Sequence, residues 1–181
     1  MPGFCIHLII AKEYNRKHKN EIKDFDEFCK GTIKPDLNDT LDNICKDKLK
    51  SHYGILRPTN DGTFYTDLPR FVKENLTKIK TDFYKGYLLH LLADDYFYND
   101  YFNSEVEKAF INKESFHSDF DAINSDLESK YDFKLPKELL KYTGENNNSP
   151  KYLDFDRVCD YIDKISNIDL EKILDDEIRK L

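Results

Sequence analysis

The sequence predicts an all-α fold, a multi-helix bundle, and two observations carry that reading. Apolar residues recur at spacings of three and four along most of the chain, and stretches of alternating β-branched residues are few. The core material is bulky, with 12 Tyr and 13 Phe in 181 residues that are 35% charged. A disordered chain lacks such aromatic content, and this length suits one domain with a substantial hydrophobic core.

The elements follow in order. A first helix spans about residues 4–18, with Phe4, His7, Leu8 and Ala11 along one face. A second covers about 20–30 and is expected to stop at Gly31. In GTIKPDLND, Pro35 pushes Lys34 away from helical dihedrals and makes Asp36 a loop residue. KSHYG then closes at Gly54, and residues 55–66 read as turn-rich around Asn60-Asp61-Gly62. A short helix over 68–76 precedes the long central one, about 78–98. Helices are expected over 104–112 and 117–130, and Pro136 opens a short one. After the linker-like GENNNSPK, two apolar stripes over 155–165 and 170–181 form a helical hairpin. Residues 1–142 are thus the main domain, and 143–181 a hairpin packed on it.

Charge and cysteine usage narrow the function classes. A net charge of -7 argues against a nucleic acid duplex or an anionic membrane surface as the main partner, because both need clustered Lys and Arg. The opening MPGFCIHLII has neither a basic start nor a cleavage site, and no run approaches the roughly 20 apolar residues of a membrane span. Cys5, Cys29, Cys45 and Cys159 contain no CxxC and read as buried free thiols. The expectation is a cytoplasmic protein with no membrane span; the oligomeric state stays open.

The polar residues of the central helix raise the functional question. In GYLLHLLADDYF, His90 and Asp94 lie about 40° apart and one turn along, so their side chains converge. Asp95 lies about 140° from His90 and points elsewhere. Gly86 on the same stripe lets a backbone or a ligand approach closely. Imidazole and carboxylate at this spacing make half of a first-row metal site, although the pair can also simply hydrogen-bond to each other and to the backbone. His7, Asp36 and His52 add two imidazoles and one carboxylate from three other elements.

The order His7, Pro35-Asp36, Ser51-His52-Tyr53 and Gly86-Tyr-Leu-Leu-His90-Leu-Leu-Ala-Asp94 resembles the zinc-dependent phospholipase C family, over roughly residues 1–100. That resemblance implies a phospholipase C-like helical bundle. Its metal ligands would be His7, Asp36, His52, His90 and Asp94, holding one or two Zn2+ ions, with Mn2+ or Fe also suited to such a shell. It further implies hydrolysis of a small phosphoester or lipid-like substrate by a metal-activated water, with Asp36 as a ligand or as the base that orients the water. The chain departs from the secreted family members, whose further ligands follow the HxxxD pair. Here the sole histidine after Asp94 is His117, which reads as the start of a surface helix. A more distant resemblance is to the HD-type phosphohydrolases, without their adjacent His-Asp pair. Lys50, Arg57, Arg70 and Lys85 are candidates for phosphate contact, and Tyr96, Phe97, Tyr98, Tyr101 and Phe102 line either a pocket or the core. The alternative is a non-catalytic helical interaction protein, or a degenerate relative whose His/Asp cluster braces the core.

Overall fold

The computed structural model describes residues 3–58, 64–101, 117–144 and 149–181. Among them the chain is mostly helical. The helices are α1 (Phe4–Lys17), α2 (Phe25–Ile33), α3 (Lys48–Ser51), α4 (Leu68–Asn75), α5 (Asp82–Tyr96), α6 (His117–Lys130), α7 (Phe155–Ser166) and α8 (Leu170–Ile178). Short 3-10 turns cover Lys34–Asp36 and Lys137–Tyr142, and a π-helical turn over Phe97–Tyr101 extends α5. The expected helix over 104–112, the turn at 60–62 and Phe102 lie outside the described residues.

Aspartate side chains fix several helix starts. Asp24, Asp47, Asp67, Asp154 and Asp169 each accept the backbone N–H three residues on, satisfying a donor that the first helical turn leaves free. The Asp24 cap is why α2 begins at Phe25 rather than near Asn20. Helix α5 likewise begins at Asp82, after an extended Thr81, and not at Lys78. The Asp82 carboxylate accepts the N–H groups of Lys23 and Asp24 at 3.0 and 2.7 Å, which ties the entry of α2 to that of α5.

Gly31 does not end α2 but lies inside it, where the helix crosses α5. A Cβ on Gly31 would fall 1.8 Å from the Phe83 carbonyl oxygen, and one on Gly86 would fall 2.0 Å from the Phe28 carbonyl oxygen. The two glycines therefore let the backbones touch from both sides, and α2 against α5 is the most extensive helix contact among the described residues. Lys34 also departs from expectation: it keeps right-handed helical dihedrals before Pro35. Asp36 therefore ends a buried 3-10 turn rather than sitting in an open loop.

Helix α1 has ten of its fourteen residues buried, so it has no continuous solvent face and occupies the centre. It packs against α2 and α5 on one side and against α7 on another, where Lys17 pairs with Asp163 at 2.6 Å. Helix α8 packs on α4, and Lys85 links α5 to it through Glu171 at 2.5 Å. The two sides of residues 145–148 are anchored on α6: Gly144 N–H donates to Asp121, and the N–H groups of Lys151, Tyr152 and Leu153 all donate to Asp119. Residues 54–66 contain the antiparallel strands β1 (Gly54–Leu56) and β2 (Phe64–Thr66), paired Gly54 to Thr66 and Leu56 to Phe64. Asp95 accepts the Thr66 N–H and so fastens this hairpin to α5, away from His90. No helix among the described residues is long and apolar enough to cross a membrane.

Candidate metal centre

Three helices and one 3-10 turn converge near the α2–α5 crossing. Helix α1 brings His7, the 3-10 turn brings Asp36, the residue after α3 brings His52, and α5 brings His90 and Asp94. All five are buried, none more than 5% exposed. The Nε2 atoms of His52 and His90 stand 3.2 and 3.5 Å from Asp94 Oδ2, and His7 Nε2 stands 3.4 Å from Asp94 Oδ1. His52 Nε2 also lies 3.6 Å from Asp36 Oδ1. The rings of His7 and His90 stack, with centroids 3.9 Å apart.

Two tautomers are dictated by the backbone. A carbonyl oxygen can only accept, so His90 Nδ1–H donates to the Thr32 carbonyl at 2.8 Å and His52 Nδ1–H donates to the Lys48 carbonyl at 2.9 Å. Both rings then turn Nε2 inward, and these two atoms are 3.1 Å apart. Two neutral imidazoles cannot face each other that way, since two lone pairs would meet. A proton or a cation must lie between them.

The remaining polar atoms ask for more than one proton. Both ring nitrogens of His7 and both oxygens of Asp94 are buried without a hydrogen-bond partner at normal geometry; among the described residues only Asn124 and Glu177 share that state. Two overlapping sets, His7/His90/Asp94 and Asp36/His52/His90, each place three donor atoms within 4.8 Å of one another, sharing His90. Burial opposes ionisation of Asp94, yet the rings of His90, His52 and His7 hold its carboxyl well below the usual carboxylate range. Burial likewise opposes ionisation of Asp36, and His90, Lys48 and His52 outweigh it. Charged carboxylates, inward Nε2 atoms and carbonyl-held Nδ1–H groups form a nitrogen and oxygen donor set that fits a first-row divalent ion.

The other candidates are placed differently. Lys85 is buried against the Glu21 carbonyl and Glu171, far from any phosphate role. Arg57 stacks on Tyr65 at 3.9 Å. Phe97, Tyr98 and Tyr101 belong to the core, and Tyr96 packs against it. Lys50 and Arg70 line a cleft of about 1610 Å³ that also involves Lys34, Ser51, Tyr53 and Tyr87. The cleft is not lined by the five residues of the centre, although Ser51 and Tyr53, which flank His52, and Leu37, next to Asp36, line it. His117 opens α6, and its side chain lies outside the described part of the structure. Of the four free cysteines, Cys5 and Cys159 are buried and Cys29 and Cys45 are half-buried.

The sequence reading missed Lys48. Its carbonyl orients His52, and its ammonium forms an ion pair with Asp36 Oδ1. Its position four residues before His52 on α3, one helical turn away, is the signal that could have found it. No family model, curated protein or solved structure matches the chain.

Proposed function

We propose that the protein is a metal-dependent hydrolase of small phosphoesters, built on a helical bundle of the phospholipase C-like type. The observation that carries this reading is the convergence of three imidazoles and two carboxylates, with the Nε2 atoms of His52 and His90 facing each other at 3.1 Å. A bound zinc, manganese or iron ion would supply Lewis acidity toward a phosphoryl oxygen and acidify a water. His7, His90 and Asp94 are the inner ligand set; Asp36 and His52 complete the outer one with His90. Asp36 stands at the edge of the cluster beside Lys48 and is the carboxylate that would orient a water there. The neighbouring cleft carries Lys34, Lys46, Lys50 and Arg70 together with Asp39, Asp47 and Glu74, and Lys34 and Arg70 pair with two of these carboxylates.

The depth of the cluster favours a second reading, in which a metal ion braces the core without turning over a substrate. The test is hydrolysis of bis-p-nitrophenyl phosphate and a panel of phosphomonoesters by zinc- or manganese-loaded protein, beside its metal content. The hydrolase reading expects tightly held metal and hydrolysis, both lost in His90→Ala. Metal without hydrolysis of any of these esters supports the structural ion. A folded protein that takes up no metal rejects both.

A further inference from the structure

Resting on that metal-centre reading, we infer that Lys48 occupies the position of a second cation, so that the protein holds one divalent ion and not two. The two donor sets are unequal. The inner one, His7/His90/Asp94, contains the buried atoms that lack hydrogen-bond partners. The outer one, Asp36/His52/His90, has its carboxylate already engaged: Asp36 Oδ1 lies 3.6 Å from His52 Nε2, and the same oxygen pairs with the Lys48 ammonium. An ion in the outer set and the ammonium would compete for one carboxylate.

Charge favours the same outcome. Asp36 and Asp94 bring two negative charges, so one divalent ion together with the Lys48 ammonium already leaves the cluster with a positive excess. A second divalent ion would leave a buried cluster strongly positive, with the Lys48 ammonium still beside it, at a heavy electrostatic cost where water is excluded. Lys48 reaches this position from the edge. Its side chain is 33% exposed while that of Asp36 is 7% exposed, so the ammonium keeps part of its hydration as it neutralises the carboxylate. Because His52 is oriented by the main-chain carbonyl of Lys48, replacing the side chain leaves that hydrogen bond in place.

The experiment counts zinc bound by the full chain after saturation with zinc chloride and gel filtration, for wild type, Lys48→Met and Lys48→Arg, with cooperative thermal unfolding as the check on folding. The expected counts are one, two and one: methionine removes the charge and arginine keeps it. Two ions in wild type, one in folded Lys48→Met, or two in Lys48→Arg would each overturn the role of Lys48. Zero in folded wild type would instead overturn the metal-centre reading on which it rests.

Discussion

The carbonyl oxygen of Thr32 accepts the Nδ1–H of His90 at 2.8 Å, and this bond spans the crossing at which Gly31 and Gly86 bring α2 and α5 into backbone contact. Thr32 lies in the last turn of α2, where helix carbonyls lack intrahelical partners and are free to serve a side chain. The helix contact and the tautomer of His90 are therefore one device: the glycines set the distance, and the distance sets which nitrogen faces the centre.

Gly86→Ala tests that coupling. The added Cβ would lie 2.0 Å from the Phe28 carbonyl oxygen and 2.9 Å from the Thr32 nitrogen, so the helices must separate. Overpacking of this kind costs about 1–3 kcal/mol, and backbone contact puts this site at the upper end. Denaturant unfolding should show that loss, and zinc affinity should fall with it although no ligand has changed.

Truncation of two buried aspartates should separate metal binding from backbone support. Asp119 accepts three backbone N–H groups at 2.5–3.1 Å, so Asp119→Ala strands three donors and should cost about 3 kcal/mol or more in unfolding with chelator present. Asp94 is engaged by the rings of His7, His52 and His90 at 3.2–3.5 Å, so Asp94→Ala also has a cost in chelator, and zinc is what tells the two residues apart. A ligand at a hundred times its Kd stabilises the folded chain by about 2.7 kcal/mol, and Asp94→Ala should forfeit that gain while Asp119→Ala keeps it.

Acid sensitivity has an identifiable contributor outside the centre. Burial opposes ionisation of Glu128, but the Leu135 N–H and the Lys134 ammonium outweigh it and hold the carboxyl below the ordinary glutamate range. A depressed folded pKa means that the stabilisation is complete above the unfolded glutamate range and is lost as pH falls through the folded value. Glu128→Gln should therefore flatten the fall of stability with decreasing pH in that acidic window and leave the slope at neutral pH unchanged, as read from unfolding midpoints across pH.

Much of the centre could be read from residue type and spacing. His90 and Asp94 share a helix face by periodicity alone, and Gly86 announced a close approach. What spacing could not reveal was tertiary in origin. Gly31 resembles a helix terminator until α5 is known to need its missing Cβ. Lys34 resembles a pre-proline break until its carbonyl is seen accepting the Leu37 N–H that closes the 3-10 turn. The hairpin over 54–66 has only three-residue strands, too short for alternation to register. Lys48 looked like one of many solvated lysines, because its meaning depends on Asp36, twelve residues away, folding back to meet it.

The most direct test of the shared cation is zinc X-ray absorption fine structure on the chain loaded with one equivalent of zinc. The account predicts a shell of nitrogen and oxygen at about 2.0–2.1 Å with the scattering signature of imidazole. Burial pushes the thiols of Cys5 and Cys29 up to about 12, so no thiolate from either should appear. A sulfur shell at about 2.3 Å, or zinc that washes off before the measurement, would contradict it.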